Sequence, residues 1–247
     1  LDFIDGGSGT DFVSFNFGDT TAVTLDLANS EIQNTGKGRV QIINVENVEG
    51  GSGDDKLFGN SSDNVLKGGL GNDTLVGRQG NNSLDGGDDV DTADYSTVDS
   101  SNGVNVDLRL ASEQVQNNGY VGKDTLISIE KIIGTKNSDI IIGKTTNLST
   151  DTMTFELGAG NDTIWAGSGT NVIYTSRMTE SGVDYTSYNN TVFSGTGSDT
   201  VIGSSGNDTF IVSENDALGG TENDTFNGVS GLDTIDYSLI LDSDSNQ

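Results

Sequence analysis

Asp55, Asn64, Asp73, Asn82 and Asp91 stand nine residues apart. Each is the sixth residue of a unit with a glycine-rich opening: Gly50-GSGDDKLF, Gly59-NSSDNVLK, Gly68-GLGNDTLV, Gly77-RQGNNSLD and Gly86-GDDVDTAD. Such units bring together side-chain oxygens and backbone carbonyls that glycine can turn toward a neighbour, because it tolerates positive φ. A flexible cage of hard oxygens suits Ca²⁺, whereas Mg²⁺ demands tight octahedral geometry and resists losing water. Cation binding is therefore the chemistry these residues can do.

The elements that must position them follow from the same period. The eighth residue of each unit is apolar (Leu57, Leu66, Leu75, Leu84, Ala93). A short unit can bury one such residue only by stacking on its neighbours. Six residues make a turn and three a short strand, so two units complete a coil of 18 residues. Like turns then pile up at ~4.8 Å, the spacing of paired strands. One edge of the coil carries Asp55, Asp73 and Asp91. The other carries Asn64 and Asn82, with Asn60 and Arg78 replacing the second glycine. The expectation is about two ions on the aspartate edge. On the asparagine edge binding should be weak or absent, since an amide lacks charge and Arg78 adds an adverse one.

Composition agrees with a need for cations. The 247 residues hold 38 acidic and 11 basic side chains, a net charge of −27, with 35 glycines and no proline. Only 32% are hydrophobic and 6% aromatic. A chain so acidic and so poor in apolar residues lies near the composition of disordered proteins. Folding then requires free energy from outside the polypeptide. Nucleic acid is not expected as a partner, because polyanions repel so acidic a surface. Cys and His are absent, which removes disulfides, thiolate sites and the commonest transition-metal ligand. No apolar run approaches the ~20 residues that a membrane-spanning helix needs, and no signal peptide opens the chain.

A longer repeat contains the nonapeptides: Asp11 aligns with Asp91, Asp26 with Asp107, Glu46 with Glu130 and Asp55 with Asp139. Downstream, Leu157-GAGNDTIW, Ala166-GSGTNVIY, Ser194-GTGSDTVI, Gly203-SSGNDTFI, Gly219-GTENDTFN and Gly228-VSGLDTID put Asp162, Asn171, Asp199, Asp208, Asp224 and Asp233 in sixth place. A degenerate unit, Tyr185-TSYNNTVF, keeps only its second half, and irregular insertions fall near residues 143–156, 175–184 and 212–218. Between the units, Val23, Leu25 and Leu27, and Val104, Val106, Leu108 and Leu110, alternate with polar residues as strands do. Glu113 to Asn118 reads as one short helical turn. Residues 1–49 form a partial unit with a strand spacer, 50–95 the five-unit run and 96–133 a second spacer. Residues 134–247 hold further units and a truncated third copy. All are read as one continuous all-β solenoid, and the chain as an excerpt from a longer polypeptide.

Gly68-GLGNDTLVG, with the spacer running from Asp94-YS through Val106-DL and Asp124-TL to Ile129-E, resembles the RTX family of calcium-binding repeats. Those are secreted proteins of Gram-negative bacteria and cyanobacteria, exported by type I systems. The resemblance covers nearly the whole chain. It implies a parallel β-roll, calcium-driven folding after export, and ligation by Asp plus turn carbonyls of like turns. Carried onto this sequence, the metal residues are Asp11, Asp55, Asp73, Asp91, Asp139, Asp162, Asp199, Asp208, Asp224 and Asp233. With them go Gly51, Gly53, Gly69, Gly71, Gly87, Asp89, Gly158, Gly160, Gly195 and Gly197.

Other readings compete at some positions. Asp in a turn commonly makes only a local bond to its own backbone, and Asp11, Asp139 and Asp233, bordering spacers, are most open to that. Glu46 and Glu130 read as partners for buried backbone. Asp242-SDSN starts like a hand-type calcium loop but lacks its central Gly and closing Glu. No G-x-S-x-G elbow occurs, and without His or Cys little supports catalysis, so the chain is not expected to be an enzyme. The expected function is a structural, calcium-binding segment of a large secreted or surface protein. The alternative is a calcium-dependent module binding polysaccharide or a host surface.

Overall fold

The computed structural model describes residues 1–98, 102–110, 114–116, 122–145, 152–176, 178–179, 182–183, 187–212 and 223–237. Among them are 26 strands and no helix. The chain divides into two compact units, Leu1–Ser100 with Leu110–Ile132 and Ser101–Arg109 with Ile133–Gln247.

In the first unit the nine-residue period becomes two files of parallel strands. One file pairs Phe12–Ser14, Asn47–Gly51, Val65–Leu70, Ser83–Asp88 and Lys123–Ile127 in that order. The other pairs Thr24–Asp26, Lys56–Phe58, Thr74–Val76 and Thr92–Asp94. Leu57 lies beside Leu75 and Leu75 beside Ala93, and Leu66 lies beside Leu84. The coil is therefore 18 residues, as the spacing predicts. Leu57, Leu66, Leu75 and Leu84 are fully buried, each contributing about 2 kcal/mol of apolar burial. Of two ninth-place residues, Val76 is buried and Phe58 half-buried beneath the Arg78 guanidinium.

Two strands of the first file run to six residues, because Gly68, Gly69 and Leu70 continue the Val65–Leu70 strand and pair Gly69 with Gly87 of Ser83–Asp88. Gly69 has φ +123°, and a Cβ there would overlap the Gly51 carbonyl oxygen. Only glycine allows the coils to approach this closely. Asp2–Asp5 lies parallel to Arg39–Ile43, which pairs antiparallel with Gln33–Asn34. Val115–Gln116 is a strand antiparallel to Lys123–Ile127, where the sequence suggested a helical turn. The rest of that stretch apart from Gln114 lies outside the described residues, as do the opening of the Gly219 unit and the chain from Asp242.

The second unit repeats the plan. Asn105–Asp107, Ile140–Ile142, Thr163–Trp165, Thr191–Phe193, Thr209–Ile211 and Thr234–Asp236 form one parallel file. Thr152–Glu156, Thr170–Tyr174, Thr200–Ile202 and Thr225–Asn227 form the other. Ile141, Ile164, Val192 and Phe210 fill the core from one side, Phe155, Ile173 and Val201 from the other. The degenerate Tyr185 unit takes its place in the first file through Thr191–Phe193.

Candidate metal centre

Each sixth-place residue precedes a short strand, so stacking the strands stacks the carboxylates. On the aspartate edge of the first unit, Asp55 Oδ1 accepts the Val23 N–H at 2.6 Å. Asp73 Oδ1 accepts the Asp55 N–H at 2.7 Å, and Asp91 Oδ1 accepts the Asp73 N–H at 2.8 Å. Glu130 continues the ladder, accepting the Asp91 N–H through Oε2 at 3.1 Å. Glu46 does the same for the Asp11 N–H at 2.9 Å. Both glutamates serve backbone N–H groups, in part-buried surroundings.

One oxygen of each carboxylate is thus committed to the backbone. The other is not: Oδ2 of Asp11, Asp55, Asp73 and Asp91 is buried with no hydrogen-bond partner. What surrounds it is set by the first glycine of the unit. A Cβ on Gly50, Gly68 or Gly86 would overlap Oδ2 of Asp55, Asp73 or Asp91 respectively. A Cβ on Gly68 would also lie 2.5 Å from the Gly86 carbonyl oxygen, and one on Gly50 2.8 Å from that of Gly68. Carboxylate and carbonyl oxygens therefore share each gap. Such a donor set fits a hard cation, and a buried oxygen left unsatisfied costs about 1–3 kcal/mol or more. Among the described residues no three acidic side chains form a cluster able to hold a metal, so carbonyls would complete the ligand shell. Asp55, Asp73 and Asp91, with Gly68 and Gly86 carbonyls, would hold the ion, whose charge offsets the repulsion between stacked carboxylates.

The other candidates are placed as follows. A Cβ on Gly87 would overlap the Gly69 carbonyl, and one on Gly71 would sit 2.9 Å from the Gly53 carbonyl oxygen. Asp89 is exposed and accepts the Gly71 N–H at 3.2 Å through Oδ2. In the second unit Asp139, Asp162, Asn190, Asp208 and Asp233 form one ladder, each accepting the preceding sixth-place N–H at 2.8–2.9 Å beyond the first. Asp139 itself takes the Val104 N–H. Asn171, Asp199 and Asp224 form the other. Oδ2 of Asp162 and of Asp224 is buried without a partner, whereas Asp233 is exposed. Gly158 and Gly160 bend under Asp162, and Gly195 and Gly197 under Asp199, all four at positive φ.

The asparagine edge is built differently. Asn64 Nδ2 donates to the Glu46 carbonyl at 2.7 Å and to Asn60 Oδ1 at 3.0 Å. Asn82 Nδ2 donates to Asp124 Oδ1 at 2.9 Å. Arg78 is not an adverse charge left over: its guanidinium grips Asp26 through two bonds, at 2.6 and 2.8 Å, and donates to the Gly59 carbonyl at 2.8 Å. Here amide and guanidinium donors meet carbonyl and carboxylate oxygens, whereas on the aspartate edge Oδ2 of Asp55, Asp73 and Asp91 meets no donor. Asp124, which also accepts the Tyr95 hydroxyl at 3.2 Å, closes this ladder. Neither the role of Asp124 nor the pairing of Arg78 with Asp26 was legible, because Asp124 and Asp26 belong to spacers outside the nine-residue register.

Burial governs the acidities. Removal from water lifts Asp73 from the ordinary 3.8 to about 7, with the Asp55 and Asp91 charges adding to it. It lifts Asp91 to about 6 and Asp162 to about 9, and Asp55 also rises. A carboxyl with a raised folded-state pKa stabilises the metal-free fold fully below its unfolded value and loses that contribution as pH rises through the folded one. Melting of the metal-free chain is therefore expected to be highest near pH 4. It should fall from there until pH reaches about 6 for Asp91 and about 7 for Asp73, and level off for each group above its value. Circular dichroism melts after dialysis against chelator measure this, and a melting point rising over that window would contradict it.

A family model for the RTX calcium-binding nonapeptide repeat (4 copies) matches residues 2–22, 45–75, 68–95, 154–177 and 184–216. Together these cover just over half of the chain. Among curated proteins, none matches.

Proposed function

The chain belongs to the RTX calcium-binding nonapeptide repeat family, and on that premise we propose that this calcium-binding β-roll is a structural segment of a large secreted or surface protein. It stays loose inside the bacterial cell, where free calcium is scarce, and folds outside. The observation that carries this reading is the file of buried Oδ2 atoms of Asp55, Asp73 and Asp91 without partners. Three such turns leave two gaps, hence about two ions on that edge and none between Asn64 and Asn82. Catalysis has no part in the reading, since the sequence offers neither His nor Cys. Extracellular calcium modules bind at about 10⁻⁴–10⁻³ M. A titration of free calcium followed by far-ultraviolet circular dichroism is expected to give its folding midpoint in that range. A midpoint below micromolar would place folding inside the cell and defeat the proposal.

The rival reading is a calcium-dependent module for polysaccharide or a host surface. It draws on the outward file of Ile142, Trp165, Phe193 and Ile211, in which Trp165 stacks on Phe193 at 4.9 Å and remains 39% exposed. Retention on a glycan array in calcium, lost in Trp165→Ala, would favour it. Among the described residues no helix is long and apolar enough to cross a membrane.

A further inference from the structure

The residue four places before the sixth-place aspartate divides the turns into two kinds. Before Asp55, Asp73, Asp91 and Asp162 it is glycine, and each of these carboxylates keeps a buried Oδ2 with no partner. Before Asp139 it is Thr135, whose N–H reaches Oδ2 at 2.7 Å and whose hydroxyl reaches Oδ1 at 2.8 Å. Before Asp208 it is Ser204, whose N–H and hydroxyl meet Oδ2 at 2.7 and 3.2 Å. Asp139 and Asp208 are as deeply buried as Asp73 and Asp162, each at 1% exposure, so solvent access does not separate the two kinds. The supply of donors does. A calcium ion requires a shell of oxygens carrying no competing hydrogens. Thr135 and Ser204 fill that shell with hydrogen-bond donors.

We infer that this second-place residue decides whether a turn takes calcium. Asp139 and Asp208 are closed by Thr135 and Ser204 and stay out of the calcium set, forming metal-independent clamps among calcium-dependent turns. Arg78, in the same place on the asparagine edge, extends the device by bridging Asp26 and the Gly59 carbonyl with a covalently attached cation. The inference rests on the reading that the glycine-type turns bind calcium.

Equilibrium dialysis of the whole chain, with bound calcium counted per molecule, tests it. Asp139→Asn and Asp208→Asn are expected to leave the count unchanged, while Asp73→Asn and Asp162→Asn each remove at least one ion. Ser204→Gly, which withdraws the hydroxyl and frees the backbone, should add one ion. Loss of an ion in Asp208→Asn, or no gain in Ser204→Gly, would overturn the inference while leaving calcium binding by the other turns intact. An unaltered chain that holds no calcium at all would instead sink the underlying reading, and this inference with it.

Discussion

Stripped of calcium at neutral pH, the chain is expected to lose about 20 °C of melting temperature or to unfold outright. Stacked carboxylates ~4.8 Å apart repel by about 3.5 kcal/mol at the effective dielectric of a protein surface. In Asp55, Asp73 and Asp91 that repulsion acts on groups already deprived of water. Protonation relieves it only in part, because Asp91 sheds its proton near pH 6 and Asp73 near pH 7. With the metal at 100 times its dissociation constant, each site stabilises the fold by about 2.7 kcal/mol. Two or three sites reach about 5–8 kcal/mol, comparable to the whole stability of an ordinary domain. For a chain of this size each kcal/mol moves the melting point by about 2–4 °C. Calorimetry in millimolar calcium and in excess chelator measures the difference. Equal melting points in the two would mean that the carboxylate stacks are held by something other than cations.

The nine-residue period made the core legible, because one apolar residue per unit can be buried in only one way. Leu57, Leu66, Leu75 and Leu84 fall where counting puts them, and so does the division of Asp55, Asp73 and Asp91 from Asn64 and Asn82. Beyond Asp139 the count fails. Successive members of that ladder are separated by 23, 28, 18 and 25 residues. The insertions fall between sixth-place residues of one ladder, so neighbours in space lose their fixed spacing in sequence. Asn190 and Asp208 are consecutive steps of one edge. Thr135 and Ser204 escaped notice for another reason. A consensus marks them only as departures from glycine, whereas their effect depends on donors aimed at a carboxylate, which no spacing reveals. Arg78 shows the same limit, because its meaning lies in Asp26, 52 residues earlier.

Gly68→Ala is expected to cost about 3 kcal/mol in saturating calcium and to abolish binding at Asp73, although it adds a single methyl. Gly68 does not sit at positive φ, so backbone strain is not the issue. Space is: the new Cβ would overlap Asp73 Oδ2 and stand 2.5 Å from the Gly86 carbonyl oxygen. Neither neighbour can yield easily. Asp73 is pinned through Oδ1 by the Asp55 N–H, and Gly86 is part of the Ser83–Asp88 strand paired on both sides. Forcing atoms into a packed interior costs about 1–3 kcal/mol, and here the displaced atoms are those that would hold the ion. Gly51→Ala supplies the comparison. Its Cβ would come no closer than 3.3 Å, to the Phe15 carbonyl, so it should cost under about 1 kcal/mol on the same scale. Urea unfolding of both variants in calcium separates the two outcomes. If Gly68→Ala proves no worse than Gly51→Ala, the gap beside Asp73 is roomier than its oxygens imply, and the tight stacking of first-place glycines against sixth-place carboxylates is not what shapes the site.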